Sequence, residues 1–145
     1  MNIFLSAPSR DLKLVEVIQS KIIEAGHEVY DWVSSYKEEP NKQDDEIVAN
    51  FIRGLNSVKN CDLFILVVTS NAGPSVGCGT ELGVAMEHAK QSKLLELIPI
   101  DDSSPWYYHP GRMWFTGRAY TKTCFTSYSK LIDSLKYTQP FPLPK

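Results

Sequence analysis

Six consecutive apolar residues, Leu63-Phe64-Ile65-Leu66-Val67-Val68, follow directly on Asp62. Three of the six are β-branched, and no polar residue alternates with them. A strand with one wet face would alternate, so this run predicts a strand covered on both faces. That environment belongs to the middle of a parallel sheet flanked by helices. The run is far too short to span a bilayer. The rest of the chain must therefore supply helices for two faces and further parallel strands.

The punctuation of the sequence supplies them. Ile3 to Ser6 reads as a short buried strand stopped by Ala7-Pro8-Ser9. Val15, Ile18, Ile22 and Ala25 recur at helical spacing, ending at Gly26. Glu28 to Trp32 reads as a second strand, and the polar, Pro40-containing stretch Ser34 to Gln43 as a long loop. Asp44 is placed to cap a helix with an apolar stripe of Ile47, Phe51, Leu55 and Val58. Beyond the central strand, the Gly/Pro/Ser-rich loop Thr69 to Gly79 leads to a helix with Leu82, Ala85, Met86 and Ala89 inward. Leu94 to Ile100 and Ala119 to Thr123 read as the fourth and fifth strands. A last helix after Ser127 carries Leu131, Ile132 and Leu135. Strands alternating with helices predict a three-layer, doubly wound α/β fold. Its sheet is mostly parallel, with about five strands in a flavodoxin-like or Rossmann-like arrangement.

With 145 residues, 43% of them apolar, the chain has material for one core. Residues 1–138 read as a single domain and 139–145, with Pro140, Pro142 and Pro144, as an extended tail. Fifteen basic against 17 acidic residues give no signature of a nucleic-acid polymer as partner. The start Met1-Asn2-Ile3-Phe4-Leu5 resembles a core strand and not a secretory leader. Three cysteines without a C-x-x-C fit a reducing compartment, so the sequence reads as soluble and cytoplasmic, with no membrane partner. The three histidines show no metal spacing, and no metal site or cofactor is expected.

In a doubly wound fold the ligand crevice lies outside the carboxyl ends of the strands. That rule selects Ser6, Pro8 and Arg10, then Asp31-Trp32, Thr69 to Glu81, and the residues from Asp101 onward. The segment Thr69-Ser-Asn-Ala-Gly-Pro-Ser-Val-Gly-Cys-Gly-Thr-Glu81 is the most informative. Gly73, Gly77 and Gly79 allow unusual dihedrals and close approach of backbone to a ligand. Glu81 falls near the first turn of the helix that follows. There the dipole favours the ionised form that a nucleophilic carboxylate requires. Glutamate is also common in first turns simply because it satisfies the dipole. Ser75, six residues earlier, is placed to join free helix N–H groups in holding a phosphate.

These residues resemble the nucleoside 2-deoxyribosyltransferase-like superfamily. The resemblance is carried by the first strand with its Pro/Ser/Arg loop, by Ala-Gly-His-Glu-Val-Tyr-Asp (25–31), by Cys61-Asp62, and by Ser75-x-Gly-x-Gly-x-Glu-Leu-Gly83. It implies cleavage of an N-glycosidic bond, by base-swapping transferases or by hydrolases of deoxynucleoside 5′-monophosphates. Glu81 would attack C1′ and form a covalent glycosyl-enzyme. A serine at position 75 is similar to the monophosphate hydrolases, where it contacts phosphate. Two positions depart from the pattern: Phe4 stands where the family has a tyrosine, and Gly54 where it has the aspartate that handles the leaving base. Ser75-x-Gly-Cys-x-x-Glu81-Leu is also similar, more weakly, to TIR domains that cleave NAD. A non-catalytic nucleotide sensor is the reading from another functional class.

Three further features have two readings each. Arg10 is suited to a bidentate phosphate contact or to a solvated surface. Asp31 fits a ribose hydroxyl or a turn. The aromatic segment Trp106 to Phe115 suits base stacking, core packing or a subunit contact. The last of these, with the resemblance, predicts a homodimer or higher closed oligomer. The partner is expected to be a nucleoside, nucleotide or NAD-like small molecule.

Overall fold

A computed structural model describes residues 1–69, 76–97 and 124–136, the side chains of Val76, Glu96 and Cys124 excepted. Five parallel strands, β1 (Asn2–Ser6), β2 (Glu28–Val29), β3 (Leu63–Val68), β4 (Gln91–Glu96) and β5 (Cys124–Phe125), form one sheet in the order β2-β1-β3-β4-β5. The helices are α1 (Leu12–Glu24), α2 (Trp32–Glu38), α3 (Asp44–Asn60), α4 (Val76–His88) and α5 (Tyr128–Lys136). This is the expected doubly wound α/β architecture, with β3 at its centre and all six of its residues buried.

The pleat explains why β3 had to be apolar throughout. Leu63, Ile65 and Val67 join Ile3 and Leu5 in a core closed by Val15, Ile18 and Ile22 of α1 and by Leu131, Ile132 and Leu135 of α5. Phe64, Leu66 and Val68 point the other way with Phe4, against Val58 of α3 and Cys78, Leu82 and Ala85 of α4. Two faces of one strand thus anchor two separate cores. Helix α1 ends in a Schellman turn. The Gly26 N–H donates to the Ile23 carbonyl (2.9 Å) and the His27 N–H to that of Ile22 (3.3 Å), with Gly26 at φ +92°. A substituent there would be strained, which is why the chain spends a glycine at this point.

Several boundaries differ from those read in the sequence. The stretch Ser34 to Gln43 is not an irregular loop. Ser34 to Asn41 belong to α2 and a following 3-10 turn, Glu39–Asn41, and Lys42 and Gln43 alone are irregular. The polarity that suggested a loop is the wet side of a short helix, whose Val33 is buried. The second strand is correspondingly only Glu28–Val29, because Asp31 caps α2 and turns the chain out of the sheet. Gln43, not Asp44, occupies the cap of α3. Asp44, Asp45 and Glu46 fill the first turn, where the helix dipole favours negative charge. Of the expected α3 stripe only Val58 is buried, and Met86 of α4 is 49% exposed instead of inward. The fourth strand is Gln91–Glu96, earlier than expected, and the fifth is Cys124–Phe125. The proposed strand Ala119 to Thr123 and the tail 139–145 lie outside the described residues. No helix among the described residues is long and apolar enough to cross a membrane.

Candidate functional site

Chain order runs outward from β1 to β2 on one side and to β3 on the other. The switch point therefore lies beyond the carboxyl ends of β1 and β3, where Ser6 and Val68 end their strands. Hydrogen bonds among the described residues brace this edge. The Thr69 hydroxyl donates to the Asp11 carboxylate (2.5 Å), tying the end of β3 to the start of α1. The Trp32 indole N–H donates to the Leu5 carbonyl (2.8 Å), pinning the start of α2 over β1.

A crevice of about 270 Å³ opens here. Its apolar lining comes from Phe4, Tyr30, Trp32, Tyr36, Phe51 and Leu55, and its polar lining from Ser9, Ser35, Glu39, Asn50 and Glu81. Tyr30 stacks on Phe4 with ring centroids 5.7 Å apart, and Trp32 meets Tyr36 edge-on at 6.5 Å. Flat aromatic walls around a few polar groups suit a planar heteroaromatic ligand.

Glu81 lines this crevice. Helix α4 runs over Val76–His88 among the described residues, so Glu81 is at least its sixth residue and lies beyond the first turn. Its neighbours at i−3 and i+4, Cys78 and Ala85, are buried against the sheet, and the carboxyl is carried down with them. Oε1 accepts a hydrogen bond from the fully buried Ser6 hydroxyl at 3.1 Å. The dipole does not govern this group, contrary to the expectation from sequence. Burial raises its pKa from an ordinary 4.5 to about 8, opposed by the Ser6 hydrogen bond. The site thus holds a carboxyl that is protonated at rest near neutral pH and loses its proton just above.

Ser6 reaches Glu81 because it lies on the same face of β1 as Phe4, the face that packs against α4. Its hydroxyl supports the ionised carboxylate. Ser6→Ala is expected to move the Glu81 titration upward by roughly 0.7 unit, the equivalent of one hydrogen bond of about 1 kcal/mol. NMR titration of the side-chain carboxyl measures this directly. An unchanged midpoint would show that the hydrogen bond does not bias ionisation.

The other residues selected from the sequence separate clearly. Gly77 lines the crevice with Glu81, and a Cβ there would meet nothing within 4 Å. Gly77 and Gly79 are both helical residues of α4 and have no positive φ, so neither serves as a loop hinge. Pro8 is buried, immediately before the 3-10 turn Ser9–Asp11, and Arg10 is exposed within that turn. Neither lines the crevice. Asp31 lies outside it as well. Its carboxylate accepts from the Ser34 hydroxyl (2.6 Å) and the Ser34 N–H (3.2 Å), and the hydroxyl is the main reason its pKa falls below the ordinary value. Asp31 thus caps the start of α2. Gly73, Ser75, the residues from Asp101 onward and the aromatic segment Trp106 to Phe115 lie outside the described residues.

Sequence reasoning missed the wall formed by Tyr30, Tyr36, Glu39 and Asn50. A signal was present in Asp31-x-x-Ser34 followed by Tyr36 at i+4 from Trp32, a capped helix start with an aromatic pair on one side.

No protein-family model and no curated protein sequence matches the chain. Among solved structures it is similar to a 2-deoxyribosyltransferase from Bacillus psychrosaccharolyticus, with a TM-score of 0.68 and 16% identity over 93% of this chain and 96% of that one. It is also similar to a CMP N-glycosidase from Clostridium botulinum, with a TM-score of 0.55 and 18% identity over 93% of this chain and 97% of that one. The chain shares the fold of both along nearly its whole length.

Proposed function

We propose that this chain cleaves the N-glycosidic bond of a nucleoside or nucleotide, with Glu81 as the nucleophile. The observation that carries the reading is the Glu81 carboxyl, desolvated and hydrogen-bonded by Ser6, lining an aromatic crevice at the switch point of the sheet. The likeness in fold to a 2-deoxyribosyltransferase and a CMP N-glycosidase supports it.

Ionised Glu81 attacks C1′ as the C1′–N bond breaks through an oxocarbenium-like transition state, and the bonding electron pair leaves with the base. The departing nitrogen takes a proton from solvent. Water, or a second base, then attacks C1′ and releases the carboxylate. The desolvation that raises the pKa also removes the hydration shell that would blunt the nucleophile. The aromatic walls hold the base, and Ser75 with the N-terminus of α4 is assigned to a 5′-phosphate, with Arg10 of the exposed turn after β1 as a further phosphate contact.

Incubation with deoxynucleosides, ribonucleosides and their monophosphates, with free base read by chromatography, tests the activity. Monophosphates are expected to outcompete nucleosides, and Ser75→Ala to erode that preference by about 1 kcal/mol. Equal affinity for the two would remove Ser75 from phosphate binding. An oligomer with the segment Trp106 to Phe115 at its contact, in a cytoplasmic setting, completes the proposal.

Phe4 and Gly54 favour a second reading, a nucleotide-binding sensor. Neither residue supplies the hydroxyl or carboxylate found at these positions in the enzymes the sequence resembles. Base release by the wild-type protein excludes that reading.

A further inference from the structure

Helix α3 brings an unusual residue to the crevice. Asn50 and Gly54 are one turn apart on the face that lines it, beside Phe51. The Asn50 amide nitrogen is enclosed, and Nδ2 has no hydrogen-bond partner. An enclosed donor without an acceptor is destabilising, so its retention at a ligand crevice calls for an explanation. Gly54 adds to the observation. A Cβ there would lie 3.9 Å from a ring carbon of Tyr30, an ordinary contact, so the missing side chain leaves open space and relieves no clash. Asn50, Gly54, Tyr30 and Phe51 therefore line the crevice together, with the unpaired Asn50 N–H enclosed beside it.

We propose that Asn50 reads the edge of the leaving base, its Nδ2–H donating to a carbonyl oxygen or an unprotonated ring nitrogen. This rests on the reading of the crevice as a base-releasing site. Two features of the wall define the ligand chemistry. The aromatic surfaces select a flat ring, and the enclosed donor selects a ring with an acceptor on the edge that faces α3. A flat hydrocarbon-like ring would fill the same space and leave the donor unsatisfied. A carboxamide is neutral at working pH, so Asn50 does not protonate the departing nitrogen. Its role is to discriminate among bases, and sites built around a hydrogen bond reject partners that lack it.

The test is binding, which requires no turnover. Uracil, cytosine, adenine and hypoxanthine are titrated calorimetrically into the wild-type protein and into Asn50→Leu, with indole as a flat ring lacking an edge acceptor. At least one base is expected to bind the wild type, and Asn50→Leu to weaken that base about tenfold or more while indole affinity stays the same. Asn50→Asp keeps the shape and replaces the donor with acceptors. It is expected to weaken the same base, and it serves as the test if Asn50→Leu fails to fold. No base binding by the wild type, undiminished base affinity in a folded variant, or equal losses for base and indole would each overturn the assignment. Base binding without base release would support Asn50 and count against the proposed reaction, so the two failures are distinguishable.

Discussion

The stability of the wild-type protein is expected to fall between about pH 4.5 and pH 8, and that of Glu81→Gln to fall far less over the same window. The sign follows from the raised pKa of the buried carboxyl. Below pH 4.5 both folded and unfolded chains hold the Glu81 proton, and the folded state keeps its full advantage. Above pH 4.5 the unfolded chain releases the proton, while the folded chain retains it until about pH 8. Across the window the folded state therefore binds more protons, and unfolding free energy declines as pH rises. A displacement from 4.5 to about 8, at about 1.4 kcal/mol per unit, sets the decline from this one group on the order of 3–5 kcal/mol. Glutamine has no proton to lose. Glu81→Gln should match the wild type near pH 4.5 and exceed it by several kcal/mol at pH 8.5. Urea unfolding at a series of pH values measures both curves, and parallel curves would show that the carboxyl is not held neutral by burial.

The same substitution is expected to abolish base release, by about 10⁴-fold or more, as loss of a covalent nucleophile does elsewhere. A gain in stability with a complete loss of activity is the signature of a group held at thermodynamic cost for its chemistry. In the wild type, kcat/KM should rise with pH toward about 8, because only the ionised carboxyl attacks and the limb reports the free protein. Unchanged turnover in a folded Glu81→Gln protein would end the covalent reading.

Much of this arrangement was legible in the sequence because it depends on pattern. The run from Leu63 to Val68 required two covering layers, and the structure places α1 and α5 on one face and α3 and α4 on the other. Glu81 and Ser6 were selected by one topological rule, and they meet at 3.1 Å. Two kinds of information were not local. The register of α4 against the sheet decides whether Glu81 sits in the first turn under the dipole or beyond it under burial. The sequence between Thr69 and Gly79, with three glycines and a proline, does not fix where that helix begins. The segment after Trp32 is polar because α2 is short and lies over the crevice with one side in solvent. A single buried residue, Val33, is too faint a helical signal to outweigh Pro40. Phe51 had the spacing of a core residue yet is 44% exposed, because the stripe of α3 faces the crevice as well as the sheet. Periodicity identifies an apolar face but does not distinguish packing against a strand from lining a cavity.

The central claim is that Glu81 becomes covalently bonded to the sugar. Its most direct test is acid-quenched turnover of whichever nucleoside or nucleotide releases base, followed by proteolysis and mass spectrometry of the peptide containing Glu81. The account predicts a mass increment equal to the sugar, or the sugar phosphate, mapped to Glu81 and absent from Glu81→Gln. Base release by wild type with the increment on another residue, or retained in Glu81→Gln, would contradict it.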